Sequence, residues 1–288
     1  MKVFITGSEG FIGSHLIENL IKKQYKINCF VQYNSFGNIG WLDTLPNNIK
    51  NKINIFYGDL RDIESIKRAA KGCETIINLA SLIGIPYSYI APRSYVDTNI
   101  TGTLNILQTC LDLNIKKLIH TSTSEVYGSA QYTPMDEKHP LVGQSPYSAS
   151  KIAADNLVLS YHYSFNVPVT ILRPFNTFGP RQSLRAVIPN IISQIIENKK
   201  YIKIGSTSPT RDFNYVEDIV SGFELAINNK KCIGEVINLG TGLEISILDL
   251  INEISLLMNK KSKIFNEKSR IRPRNSEVTQ LVADNSKA

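Results

Sequence analysis

Gly7-Ser8-Glu9-Gly10-Phe11-Ile12-Gly13 lies between a short apolar run, Lys2–Thr6, and a segment with helical spacing of Ile12, Leu16 and Leu20. Glycine carries no Cβ, so the chain can turn sharply there, and its backbone can approach a ligand closely. A strand, a glycine turn and a helix in that order place a pyrophosphate at the helix N-terminus. The spacing is G-x-x-G-x-x-G rather than G-x-G-x-x-G, and its strand–helix context makes it informative. Gly7, Gly10, Phe11, Ile12 and Gly13 are the first candidate cofactor contacts.

Strand and helix patterns alternate beyond this turn. Apolar runs at Lys26–Val31, Ile53–Tyr57, Thr75–Leu79, Lys117–Thr121 and Val169–Arg173 read as strands. Ile63–Ala70, Asn99–Leu113 and Tyr147–Tyr163 read as helices. The expected fold is α/β, a Rossmann-type doubly wound parallel sheet with a smaller C-terminal substrate-binding portion. The dinucleotide-binding part is expected over 1–173, with the catalytic residues. Residues 174–288 are expected to cap the sheet edge, with some interleaving, and to contact substrate. Helices are expected there at Ala186–Asn198, Val216–Ile227 and Leu248–Met258, with strands at Tyr201–Ile204 and Glu235–Leu239.

Composition narrows the partners. The 288 residues are 42% hydrophobic and 20% charged, ordinary for a globular protein. The net charge of +7 is spread out, and its densest basic stretch, Lys268 to Arg274, is short; no nucleic acid is expected. No apolar run reaches the ~20 residues of a membrane span. The first strand starts at Lys2, which leaves no room for a signal peptide, so a cytoplasmic protein is expected. Cys29, Cys73, Cys110 and Cys232 are far apart, which suits buried free thiols. His15, His120 and His162 read as packing or surface residues, and no metal site is expected.

The NAD-type ribose carboxylate belongs about 20 residues past the glycine turn, at the end of the second strand. Val31-Gln32-Tyr33-Asn34 stands there without an acid. No Arg or Lys occurs from Phe30 to Asn48 either, so a 2′-phosphate lacks a counter-charge. NAD is the expected cofactor, with NADP left open. Asp59, after the third strand, could accept from the adenine or serve as a helix-start acid.

The chemistry is expected around Tyr147 and Lys151. Ser145 and Pro146 suit a helix start. One turn on, Lys151 falls on the same face as Tyr147. A nearby ammonium favours the phenolate, making the tyrosine a usable base. Thr123, Ser124 and Glu125 follow the fifth strand. They could turn or cap the chain, or add a hydroxyl and a carboxylate to the site. Arg173, Arg181, Arg211 and Arg272 are candidates for substrate phosphates.

Gly7-x-x-Gly10-x-x-Gly13, Asp59-Leu60, Asn78-Leu79-Ala80, Thr121-Ser122-Thr123-Ser124-Glu125-Val126-Tyr127-Gly128, Tyr147-x-x-x-Lys151 and Arg173-Pro174-Phe175-Asn176 occur in that order. Together they resemble the extended short-chain dehydrogenase/reductase family of nucleotide-sugar enzymes. Within it, Thr-Ser-Glu before Val-Tyr-Gly is similar to the 4,6-dehydratases, because epimerases usually lack that Glu. Tyr33-Asn34-Ser35-Phe36, Gly40-Trp41-Leu42-Asp43-Thr44-Leu45-Pro46, Ile85-Pro86-Tyr87-Ser88-Tyr89 and Arg211–Asp218 narrow it further. They resemble the 4,6-dehydratases of legionaminic acid biosynthesis, which act on nucleotide-linked N-acetylglucosamine, GDP favoured over UDP. The resemblance implies Leu60, Leu79 and Ala80 at the cofactor. It also implies Asn176, Arg211 and Arg272 at the nucleotide diphosphate, Arg181 nearby, and a homodimer. Glucose-type dehydratases carry Asp-Glu where Ser124-Glu125 stands; the mannose-type pattern has Ser-Glu. The resemblance also implies a terminal helix beyond Ala283–Lys287. A C4 epimerase, a ketoreductase and a catalytically silent NAD(H)-binding regulator are the competing readings.

Overall fold

The computed structural model describes residues 1–260, 263–267 and 270–288. Lys268 and Ser269 of the basic stretch therefore lie outside the described residues. Seven parallel strands form the central sheet: β1 (Lys2–Thr6), β2 (Lys26–Gln32), β3 (Ile53–Gly58), β4 (Thr75–Asn78), β5 (Lys117–Thr121), β6 (Val169–Pro174) and β7 (Val236–Leu239). Their spatial order is β7-β6-β5-β4-β1-β2-β3. Chain order reverses between β1 and β4, the switch point where such sheets open a crevice at the strands' C-terminal ends. Thr6 at the tip of β1 pairs with Phe30 on one side and Asn78 on the other.

Both faces of the sheet are covered, which explains why its strands read as apolar runs rather than alternations. Val3 and Ile5 face a core formed with α1 (Phe11–Lys22) and with Ile219, Val220 and Phe223 of Val216–Asn228. Phe4 faces the opposite core, with Ile66 of α2 (Ile63–Ala70), Ile106 and Leu107 of α3 (Gly102–Asp112) and Val158 of α4 (Pro146–Phe165). The four cysteines are free and buried.

The chain interleaves across residue 173. Val216–Asn228 packs on the first core, and β7 pairs with β6, Val236 opposite Ile171. Beyond the sheet, Ile191, Ile202, Leu250 and Ile254 gather a separate core. Short pairings shape its inner edge. Thr210–Arg211 lies between Ile245–Ser246 and Gln280–Leu281. Asn176–Phe178 pairs with Phe213–Tyr215.

One helix departs from its expected form. Asn99–Leu113 has regular apolar spacing, yet residues Val96–Thr101 form a π-helical turn before α3. The wider turn lets Asn99 point inward. Its amide donates to the Leu82 carbonyl and to Ser150 Oγ, both at 3.0 Å, and its oxygen accepts from Leu82 N at 2.9 Å. The chain after β4 is thereby tied to α4, beside Lys151.

Candidate active site

The glycine turn is tightly built. Gly7 has φ +65°, and a Cβ there would lie 2.8 Å from Ala80 N. A Cβ on Gly13 would meet the Gly7 carbonyl at 2.2 Å. Gly10 caps α1 without a side-chain hydrogen bond, and the first turn holds no acid. Its amide donors and positive dipole end suit a pyrophosphate. Ala80 N donates to Thr6 Oγ1 at 3.1 Å, and Thr6 donates to Asn78 Oδ1 at 2.6 Å, which fixes the strand tips around the crevice. Leu79 and Ala80 thus border the turn. Leu60 is buried against Gly102.

Asp59 has another engagement. Its carboxylate takes the Arg61 guanidinium at 2.6 and 2.9 Å, and this pairing lowers its pKa. The cap of α2 is Asp62, which accepts from Glu64 N. The helix-start reading therefore belongs to Asp62, three residues on.

The catalytic candidates converge at the tip of β5. Thr123 caps the short 3-10 turn Ser124–Tyr127, its hydroxyl accepting from Glu125 N at 3.2 Å. Ser145 and Ser148 form a reciprocal capping box that starts α4 with Pro146 in its first turn. This start places Tyr147 one turn ahead of Lys151. Tyr147 is 7% exposed and Lys151 4%. Lys151 Nζ donates to the Thr121 carbonyl at 2.6 Å. Burial draws its pKa down to about 8, while Asp155 pulls it upward. Burial pushes the Tyr147 phenol well above its ordinary value; the Thr123 hydroxyl opposes this, and the Glu125 carboxylate adds to it. In this form of the protein the phenol is held protonated.

Glu125 faces a basic group. Arg272 Nη1 stands 3.8 Å from Glu125 Oε2 and 3.9 Å from Glu277 Oε1, and it is buried without a hydrogen-bond partner among the described residues. Arg211 lies nearby, 3.9 Å from Glu277, and the Glu125 and Arg272 charges both act on it. It donates to the Thr210 and Val278 carbonyls, each at 2.8 Å, and thereby ties together the strands that carry it. Asn176 Oδ1 is also buried without a partner. Arg181 turns elsewhere: with φ +69°, it pairs with Glu18 at 2.7 Å and Ser14 Oγ at 3.2 Å, fastening its loop to α1. The guanidinium expected at the substrate is engaged with α1 in this structure.

Beneath the site runs a polar network that the sequence reading missed. Asp155 Oδ2 accepts from Ser122 Oγ at 2.7 Å and from Arg173 Nη2 at 3.0 Å. Arg173 continues to Tyr127 Oη at 3.0 Å, and Tyr127 to Asn238 at 2.7 Å. Arg173, a phosphate candidate from sequence, is 3% exposed and committed to this network. The eight-residue spacing of Tyr147 and Asp155 was the available signal, since it puts both on one helical face. His120 stands 3.7 Å from Asp155 Oδ1, and burial holds its pKa well below the ordinary value. Among the described residues, no group of three or more His, Cys, Asp or Glu is placed to hold a metal, and no helix is long and apolar enough to cross a membrane.

Comparison with known proteins agrees with this geometry. A family model described as GDP-mannose 4,6 dehydratase matches residues 4–288. A dTDP-D-glucose 4,6-dehydratase of Dictyostelium discoideum is 35% identical over 88% of the chain, which spans 61% of that relative's length. A putative UDP-glucose 4-epimerase of Methanocaldococcus jannaschii is 32% identical, over 99% of this chain and 90% of its own. The crystal structure of UDP-glucuronic acid 4-epimerase from Bacillus cereus, in complex with UDP-glucuronic acid and NAD, superposes with a TM-score of 0.88 at 32% identity. That match covers 100% of this chain and 91% of the other. With its glycine turn, its Tyr147–Lys151 helix and a family match over nearly its whole length, the chain belongs to the NAD-dependent nucleotide-sugar 4,6-dehydratase and epimerase family.

Proposed function

We propose that the protein dehydrates a nucleotide-linked N-acetylglucosamine, GDP-linked in preference to UDP-linked, to the 4-keto-6-deoxy sugar. The observation that carries this reading is Glu125: a carboxylate next to Thr123, acting on the Tyr147 phenol and facing the Arg272 guanidinium at 3.8 Å. Epimerisation at C4 needs no such acid. The N-acetylglucosamine preference rests on the resemblance of the 33–36, 40–46, 85–89 and 211–218 stretches, and the GDP preference on that resemblance and on a family model described as GDP-mannose 4,6 dehydratase.

NAD fits the glycine cradle and the uncapped start of α1; when bound, it accepts a hydride from C4 and returns it at C6. Tyr147 takes the proton of the 4-hydroxyl, and Thr123 holds that oxygen by a hydrogen bond. Lys151 contributes positive charge beside the phenol and a donor for the nicotinamide ribose. A 4-ketone acidifies the C5 proton, which Glu125 removes. Ser124 is a poor acid, so Glu125 also returns that proton to the departing 6-hydroxyl; as hydride returns to C6, C5 takes up one proton, which balances the one Tyr147 removed from the 4-hydroxyl. Asn176, Arg211 and Arg272 border the diphosphate.

A C4 epimerase is the second reading, favoured by the relatives that carry that name over nearly the full chain. Mass spectrometry after incubation with GDP- and UDP-N-acetylglucosamine separates the two. Loss of one water from the GDP sugar is expected. Unchanged mass would overturn the dehydratase reading and leave epimerisation or inactivity, which the C4 stereochemistry by proton NMR separates, and water loss from the UDP sugar alone would overturn the nucleotide assignment.

A further inference from the structure

The end of β2 lacks the acid that reads a cofactor ribose, yet a carboxylate is present there. It comes from the glycine turn. Glu9 reaches across, and its Oε1 accepts from Gln32 N, the last residue of β2, at 2.9 Å. Its Oε2 is buried with no hydrogen-bond partner. The main chain holds it in place: Trp41 N donates to the Glu9 carbonyl at 3.0 Å, and a Cβ on Gly40 would come within 2.8 Å of that oxygen. Glu9, Gly10, Asn38, Gly40, Trp41 and Asp43 line one open cleft beside the start of α1. Burial raises the Glu9 pKa, so the site exerts a demand for a donor. Arg61, the cation at the tip of the neighbouring β3, is committed to Asp59.

Resting on the NAD-dependent reading above, we infer that Glu9 takes the place of the missing β2 carboxylate, accepting hydrogen bonds from the adenosine ribose diol and rejecting a ribose 2′-phosphate. The diol supplies the donors that an unpartnered buried carboxylate oxygen requires. A 2′-phosphate offers only acceptors and like charge to that carboxylate, while the neighbouring cations are engaged, Arg61 with Asp59 and Lys50 with the Asp43 carbonyl. Selectivity for NAD over NADP is thus relocated from the end of β2 to the second variable position of the glycine turn.

The test is isothermal titration of the purified protein with NAD⁺ and with NADP⁺, for wild type, Glu9→Gln and the pair Glu9→Ala/Gln32→Asp. Wild type is expected to bind NAD⁺ with marked preference. Glu9→Gln keeps the bond to Gln32 N, so the fold is retained, but it removes the charge. Its NAD⁺ affinity should fall roughly 10- to 100-fold, as expected for losing a charged hydrogen bond. Its preference over NADP⁺ should narrow. Glu9→Ala/Gln32→Asp returns an acid to the usual place and should restore the preference. Unchanged NAD⁺ affinity and selectivity in Glu9→Gln would overturn the assignment of Glu9. Failure of wild type to bind either dinucleotide would instead overturn the cofactor reading on which it rests.

Discussion

Lys151 Nζ donates to the carbonyl of Thr121 at 2.6 Å, tying α4 to the C-terminal tip of β5. That bond holds a buried ammonium one turn from a buried phenol, at the strand edge where Thr123 and Glu125 begin. Burial lowers the lysine pKa to about 8 and raises that of Tyr147. Both groups are therefore biased toward their neutral forms before any ligand arrives. A 4-hydroxyl and a cofactor ribose must supply the contacts that reverse the bias.

Stability should carry the mark of these shifts. Between about pH 8 and about pH 10, an unfolded chain retains a proton on Lys151 that the folded protein has lost. Unfolding then takes up a proton, so stability rises with pH, at most about 1.4 kcal/mol per unit from this group. Above about pH 10 the unfolded chain loses a tyrosine proton that folded Tyr147 keeps, and this contribution falls. Burial also raises the Cys29, Cys73 and Cys110 thiols, which lowers stability as pH rises in both proteins alike, so the urea midpoint of wild type minus that of Lys151→Met should rise across the range. Parallel profiles in the two proteins would remove Lys151 as the cause.

Tyr147→Phe should reduce turnover by ~10²–10⁴, the usual cost of losing a positioned base. The ring sits edge-on to Tyr95, with centroids 6.2 Å apart, and phenylalanine keeps that packing. Cofactor affinity by titration and the thermal midpoint should both stay near wild type. A kcat close to normal would exclude Tyr147 as the base.

Asp155→Asn should destabilise the protein by about 3–5 kcal/mol, because it leaves Arg173 buried without its counter-ion. Asp155 also holds the Lys151 pKa up. The variant should move the rise of stability with pH to a lower pH, a change that loss of packing alone would not produce. Urea titrations over the same pH series measure both effects.

The two arginines of the outer site should behave differently. Arg211 holds the Thr210 and Val278 carbonyls, so Arg211→Ala should lower the thermal midpoint as well as nucleotide-sugar affinity. Arg272 Nη1 has no hydrogen-bond partner among the described residues and only the longer ion pairs to Glu125 and Glu277, so Arg272→Ala should lower the midpoint less than Arg211→Ala does. Its nucleotide-sugar Kd should rise roughly 10- to 100-fold. Unaltered affinity in Arg272→Ala would make its role purely structural.

How far these groups can be read from sequence depends on what places them. The sheet was legible because strands buried on both faces carry unbroken apolar runs, as at Val3–Ile5 of β1 and Cys29–Val31 of β2. The start of α4 was legible because Ser145 and Pro146 act locally. The π turn was hidden, since Ile100 and Leu104 keep helical spacing through it. Pairings such as Thr210–Arg211 with Gln280–Leu281 are two residues long and have no local pattern to detect. Arg181 finds Glu18 across 163 residues, and Asp155 finds Ser122, just past the end of β5, and Arg173 on β6. The same long-range geometry brings Glu9 to Gln32, so the acid missing from β2 in the sequence is present there in space.

Glu125→Gln separates the two enzymatic readings. Oxidation at C4 requires Tyr147, whereas loss of water requires a base for the C5 proton. Glu125 is 12% exposed, and its turn is fixed by the Thr123 hydroxyl, so the isosteric amide should occupy the same position. The amide retains hydrogen bonding but cannot accept the proton. The variant should therefore oxidise C4 and stall, accumulating reduced nicotinamide and a 4-ketohexose without releasing the 6-deoxy product. Absorbance of the reduced cofactor in a single turnover follows the first step, and solvent deuterium uptake at C5 follows the second. The expected result is a persistent absorbance with C5 exchange slowed by ~10²–10⁴. Wild-type rates of exchange and product release would show that another group removes the C5 proton, and the C4 epimerase would become the better account of the site.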